Sequence, residues 1–185
     1  MMHKHSICVG WIALGIGLLL WNVDRPAGGA QPISETQVEA SYLYNFAKFV
    51  SWPAGTFANP EDPIRLCVLS DKPFLSQLSQ VVKGKTVVGH PVLVVLVDNG
   101  LQARGCQELF ISVADKRDTP QLLESLRSTS VLTIGEAKNF VGEGGIIGFV
   151  LQNDHVYFQV NQKAATQAGL RLSSQLLSVA QVVIE

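Results

Sequence analysis

Hydrophobic and polar positions along this chain follow two alternating rhythms, one helical and one extended. From Ser34 onward, Val38, Tyr42, Phe46, Phe49 and Val50 fall three or four apart, and Leu43 and Ala47 widen the stripe, so the spacing predicts an amphipathic helix. Ser34 with Gln37 has the form of a capping box and marks its start. Pro53 stops it at about Trp52, because the residue before a proline is pushed out of the α region. Asn45 and Lys48 break the apolar run, either as a solvated edge or as a contact to a ligand or partner.

Short apolar runs bounded by turn residues follow. Ile64 to Ser70 has the pattern of a buried central strand. Asp71 and Pro73 open a second helix with Phe74, Leu75, Leu78, Val81 and Val82 inward, and Gly84 ends it. Lys85 to Gly89 and Pro91 to Asp98 predict two strands around a tight turn at Gly89-His90. The second is apolar on both faces, which places it inside the sheet. One helical turn is expected in Asn99 to Gly105, a strand over Glu108 to Val113, a third helix from Thr119 and Pro120, and a strand over Val131 to Ile134. Gly145 to Gln152 and His155 to Val160 flank Asn153-Asp154 and predict a hairpin. A helix over Gln162 to Ala168 and an apolar stretch over Leu176 to Ile184 close the chain. The fold class is α/β: a single mixed β-sheet flanked by helices on both faces, an α-β-α sandwich with a C-terminal β-hairpin.

Residues 1–30 stand apart from this pattern and have the parts of a secretory signal peptide. Lys4 lies in a short basic start, Ile7 to Trp21 is an apolar core shorter than a spanning helix wants, and Gly28-Gly29-Ala30 supplies a cleavage site. The alternative is an uncleaved anchor. No cysteine sits at the end of the apolar run where a lipoprotein signal would need one. Removing the leader takes Lys4, Arg25 and Asp24 with it, so 14 basic residues become 12 and 15 acidic residues become 14, a net charge of −2. The remaining residues, 31–185, make one domain large enough to bury a single core.

The residual chemistry is sparse. Lysines and arginines are scattered without the basic footprint of a nucleic-acid binder. His90, in the expected turn, and His155, at a strand start, have no neighbours at a metal-ligand spacing, and no nucleophile elbow, zincin helix or Walker loop occurs. Gly142-Glu143-Gly144-Gly145-Ile146-Ile147-Gly148 follows a helical turn and opens a strand, the reverse of a dinucleotide-binding context, and is expected to be a turn with glycines at positive φ. Glu108, Glu136, Glu143 and Asp154 are expected as solvated charges, and Asp115 to Asp118 as a polar loop. No catalytic residue, metal site or cofactor is expected. Arg171, between Leu170 and Leu172, is either an exposed residue with a packed stem or a guanidinium aimed at a cleft or interface. Cys8 leaves with the leader; Cys67 and Cys106 remain, as a disulfide in an oxidising compartment or as two buried thiols.

The run Tyr42-Leu43-Tyr44-Asn45-Phe46-Ala47-Lys48-Phe49-Val50-Ser51-Trp52-Pro53 resembles the N-terminal signature of the YfiR-like periplasmic proteins, which often reads LYNFAKFVEWP. The resemblance continues in order through Ile64 to Leu69, Gly84 to Val87 with Pro91, Gly105 to Ser112 and Gly169 to Leu177, nearly the whole chain after the leader. It implies a non-enzymatic periplasmic repressor that binds the periplasmic sensor part of an inner-membrane diguanylate cyclase, lowers cyclic-di-GMP signalling and so regulates biofilm formation. An OmpA-like outer-membrane lipoprotein as a second partner and a homodimer are also implied. The alternative the resemblance leaves is a small-molecule-binding sensor module; an enzyme of unrecognised type is a third, weaker reading. The resemblance favours a Cys67–Cys106 bond. A second cysteine pair that some members carry in the region of Val141 to Gly148 is absent here, and with it the basis for redox control through that pair. The block around Gly169 to Leu177 lies near a proposed ligand or partner surface in such proteins. It adds Arg171 and Ser173 to Asn45, Lys48 and Trp52 as ligand- or partner-binding residues; Tyr42, Tyr44 and Trp52 are the kind of aromatic anchors an interface uses, with core packing the expected role of at least two of them.

Overall fold

Ser34 caps the first helix as its spacing predicts, its hydroxyl accepting the Gln37 N–H at 3.2 Å. In this computed structural model, which describes residues 34–112 and 118–185, α1 runs Glu35–Phe46 and then departs from expectation. A 3-10 turn, Ala47–Phe49, follows, and Val50–Ser51 form a short strand, β1, in place of the helix continuing to Trp52. The reason is distant in sequence. Val50 and Ser51 pair antiparallel with Leu172 and Arg171 of β9 (Arg171–Leu172), and this ladder overrides local helix spacing. The inner face of α1 is accordingly Ala40, Leu43, Phe46 and, just past it, Ala47, while Val38, Tyr42 and Phe49 are half-buried.

The main sheet has eight strands in the order β10-β8-β7-β6-β5-β2-β4-β3. Its parallel centre is β2 (Ile64–Leu69), β4 (His90–Val97), β5 (Glu108–Ile111) and β6 (Leu132–Gly135), joined to β7 (Ile147–Gln152) in parallel. β8 (His155–Asn161) turns back on β7 as the expected hairpin, with Asn153 and Asp154 both at positive φ. β10 (Val182–Ile184) then pairs with β8, and at the other end β3 (Thr86–Val87) pairs with the start of β4. Val88 and Gly89, at φ 50° and 88°, make the β3–β4 turn, so His90 begins a strand and does not lie in the turn. α2 (Lys72–Val82) and α4 (Thr119–Leu126) carry prolines in the first turn and aspartate N-caps, Asp71 and Asp118. α3 (Gly100–Ala103), α5 (Gln162–Gln167) and α6 (Ser174–Val179) are short.

Alternation along β2 and β5 divides the core. Leu66, Val68 and Phe110 face α1, α2, α5 and α6, whereas Cys67, Leu69, Leu109 and Ile111 face α3 and α4. On the first face Tyr42, Phe46, Phe149 and Phe158 pack ring on ring, and Phe74 stacks on Phe110 at 3.9 Å. The second face holds the Cys67–Cys106 disulfide, with Cα atoms 6.0 Å apart. Helices therefore flank both faces of one mixed sheet, in line with the α-β-α expectation. Three readings change. β4 lies inside the sheet, between β2 and β3, only over its first residues; beyond the two-residue β3 its outer edge has no strand among the described residues. Glu108 is no solvated charge but is fully buried between Leu66 and Leu132 on neighbouring strands, since its place on the inward face of a central strand is fixed by Phe110 two residues on. Of the glycines in Gly142 to Gly148, only Gly144 has positive φ; a Cβ at Gly145 would strike the buried Phe140 ring, so that glycine serves close packing. The leader expected over residues 1–30, and the polar loop as far as Arg117, lie outside the described residues.

Candidate functional site

The β1–β9 ribbon joins the two stretches that the sequence singled out separately. Arg171 lies opposite Ser51, and the Ser173 N–H donates to the Phe49 carbonyl at 2.9 Å, next to Lys48. Arg171 is exposed and, among the described residues, makes no ion pair or side-chain hydrogen bond. Ser173 is half-buried and its hydroxyl caps α6 by accepting the Leu176 N–H at 3.2 Å, so its local role is to start that helix.

One turn back along the chain, Lys48 donates to the Asn45 side-chain oxygen at 3.0 Å and sits 3.9 Å from the centre of the Tyr44 ring. Lys85, at the foot of β3, approaches the same ring at 4.5 Å. Tyr44 is held by its hydroxyl, which donates to the Thr86 carbonyl at 3.2 Å. Each ammonium gains about 0.5–1 kcal/mol from an exposed ring face, and neither is in an ion pair among the described residues. Two unneutralised cations, Lys48 and Lys85, thus meet over the Tyr44 ring, and a third, Arg171, lies on the β1–β9 ribbon that follows Lys48 in the chain. Lys85 was not among the residues expected here, although it falls in the Gly84 to Val87 block of the resemblance; tertiary packing brings it to Tyr44.

Trp52 is partly buried beside this surface. Its indole N–H donates to the Gln107 carbonyl at 3.3 Å and its ring meets Phe57 edge-on, while Phe57 stacks on His90 at 4.2 Å. His90 is fixed in turn by the Asp62 carbonyl at 2.9 Å, and Asp62 accepts the Ala58 and Asn59 N–H groups at 2.7 and 2.9 Å, which hold its carboxyl below the usual range. Trp52 and His90 therefore buttress the rim, and His155 stands exposed at the far end of β8. Of the expected site residues, Arg171 and Ser173 meet the segment Phe49 to Ser51 across the ribbon, Asn45 and Lys48 are bonded to each other just before it, and Trp52 directly follows β1.

A second concavity lies at the carboxyl ends of the parallel strands. β2 leads into α2 on one face and β5 leads towards α4 on the other, the crossover arrangement beside which open α/β sheets bind ligands. A cleft of about 470 Å³ opens there against Leu69, Asn99, Asp118, Gln121 and Ser125. Among the described residues no group of three histidine, cysteine or carboxylate side chains could hold a metal ion, and no helix is long and apolar enough to cross a membrane.

Two solved structures share the fold. A conserved domain protein from Vibrio cholerae O1 biovar eltor str. N16961 matches with a TM-score of 0.56 at 10% identity, over 81% of this chain and 60% of that one. The ABC domain in complex with L-Trp from Streptococcus pneumonia matches with a TM-score of 0.52 at 13% identity, over 78% of this chain and 60% of that one. This chain therefore spans well under two thirds of either, and at such identities the likeness is one of fold. The family model described as YfiR/HmsC-like, DUF4154, matches residues 36–181, a span that holds the α1 signature, both bridged cysteines and the Arg171 block. The chain belongs to the YfiR/HmsC-like family, and with it to proteins of periplasmic regulatory role.

Proposed function

We propose that this protein is a non-enzymatic periplasmic repressor that binds the periplasmic region of an inner-membrane diguanylate cyclase and lowers its cyclic-di-GMP output. The carrying observation is the pair of ammonium groups, Lys48 and Lys85, over the Tyr44 ring, with Arg171 exposed on the β1–β9 ribbon that follows, three cations without carboxylate partners among the described residues. Exposed charges left unneutralised on a chain of net negative charge suit a partner of opposite sign, and they set its association rate and orientation. Repression then follows from occupancy: a partner that binds one state of the cyclase shifts it by its differential affinity, and an OmpA-like lipoprotein competing for the repressor reverses the shift. The test deletes the protein and measures cyclic-di-GMP, then restores it as the Lys48→Glu, Arg171→Glu variant. Deletion is expected to raise the nucleotide and the variant to fail to lower it; unchanged cyclic-di-GMP on deletion sinks the reading.

The sensor alternative is favoured by one feature, the cleft at the carboxyl ends of the strands, in a fold shared with a domain solved in complex with L-Trp. A thermal-shift screen of amino acids and other small metabolites separates the two readings. A hit abolished by Asn99→Ala supports the sensor.

A further inference from the structure

Between the first turns of α1, the tip of the β7–β8 hairpin and the end of α6 lies a further concavity of about 700 Å³, within the size range of small-ligand sites. Its floor comes from two elements. Val38 and Tyr42 stand one turn apart on α1, while Leu151 and Val156 face each other in the hairpin register and continue outward the row that Phe149 and Phe158 begin in the core. The Tyr42 ring is fixed by those of Phe46, Phe149 and Phe158, at 5.6, 5.9 and 5.6 Å, so this wall is rigid. Leu151 is nevertheless 53% exposed, and Val179, on the third side, 69% exposed. A lone apolar residue on a surface needs no explanation; two that line one hollow with half-buried Val38, Tyr42 and Val156 form a contiguous patch, which marks a binding surface.

The charge around this patch is of one sign. Glu35, in the first turn of α1, and Asp154, in the hairpin turn, both line the hollow; no lysine or arginine does, and neither carboxylate is in an ion pair among the described residues. The amino end of α1 offsets part of the Glu35 charge, but Asp154, held at φ 59°, has no such neighbour. Two carboxylates over an apolar floor repel anions and attract cations. A divalent metal ion fits poorly, since it needs several oxygen ligands and the floor supplies none.

We propose that this hollow binds a small amphipathic organic cation, an ammonium or guanidinium carried on an aliphatic chain or aromatic ring. The apolar body covers Val38, Tyr42, Leu151 and Val156, and the charged head lies at the rim with Glu35 and Asp154. The site is separate from the cations near Tyr44 and from the cleft at the strand ends, and it does not rest on the regulatory reading.

Titration of the isotope-labelled protein with phenylbutylamine, phenylbutanol and phenylbutanoate, followed through methyl resonances, tests it. The three probes share one body and differ in the charge of the head. The amine is expected to shift the Val38, Leu151, Val156 and Val179 methyls and to bind at least about tenfold more tightly than the carboxylate. Glu35→Gln combined with Asp154→Asn, two exposed positions, is expected to bring the amine down to the affinity of the alcohol. Equal binding of amine and carboxylate to the parent protein overturns the proposal, as does an absence of binding or a response confined to the Leu69, Leu101 and Leu122 methyls of the other cleft. Should the double variant not fold, the ranking of the three probes on the parent protein decides alone.

Discussion

The Glu39 carboxyl on α1 is hydrogen-bonded to the Glu136 carboxyl just beyond β6. Two carboxyls can share such a bond only if one keeps its proton. Burial, then the Glu136 charge and that hydrogen bond, and finally Glu35, push Glu39 up to about 9. α1 is thus tied to the sheet by an acid pair that works best when not fully ionised.

A pH dependence follows from the direction of that shift. The folded state holds the proton more tightly than the unfolded chain, so the stabilisation is complete below about pH 4.5 and is lost progressively as pH rises towards 9. Glu39→Gln keeps a donor facing Glu136 without the charge. Urea unfolding should show it close to the parent protein at pH 5 and more stable at pH 8, by about 1–3 kcal/mol. Equal stability at both pH values would remove the pair from the account.

Glu108 is a different case, since both its oxygens are buried without a hydrogen-bond partner among the described residues and burial alone pushes its carboxyl well above the usual range. Glu108→Met fills the same space between Leu66 and Leu132 without a polar group and should raise stability at neutral pH by about 1–3 kcal/mol, less at pH 5. Glu108→Gln leaves an unsatisfied amide and should gain little. Thermal melts of the three proteins at the two pH values rank them.

The Cys67–Cys106 bridge closes a span of 39 residues that contains α2, β3, β4 and α3. Cys67→Ser or Cys106→Ser should lower stability by about 3–4 kcal/mol under oxidising conditions and change little under reducing ones. Identical melting of parent and variant without reductant contradicts the bond.

Phe140 lies between Gly135 and Gly145, and a Cβ on either would overlap its ring. Gly145→Ala should therefore cost roughly 1–3 kcal/mol, the range of an overpacked core. Gly145→Ala combined with Phe140→Leu should recover part of the loss in a double-mutant comparison.

Much of this was readable from local signals. Asp71 and Asp118 ahead of prolines mark two helix starts, Asn153-Asp154 marks the hairpin, and each works through a side chain or dihedral set by its neighbours. What escaped was decided at a distance. Phe49 and Val50 fit a helical stripe as well as a strand, and only Leu172 tips the balance. The apolar run of β4 looks like an interior strand because exposure of an edge is a matter of what fails to arrive beside it. A glutamate reads as solvated unless its inward register is known, which hid both Glu108 and the Glu39–Glu136 pair. At the candidate site, Lys48 and Arg171 were each visible, but the pairing of Arg171 with Ser51, and the addition of Lys85 beside Tyr44, are tertiary.

That ribbon carries a temporal implication. Val50 cannot find Leu172 until almost the entire polypeptide has been made, so the segment after α1 waits, helix-prone and uncommitted, for a strand near the opposite terminus. A chain cut short before Arg171 would therefore leave Val50 and Ser51 without the strand that draws them out of the helical stripe.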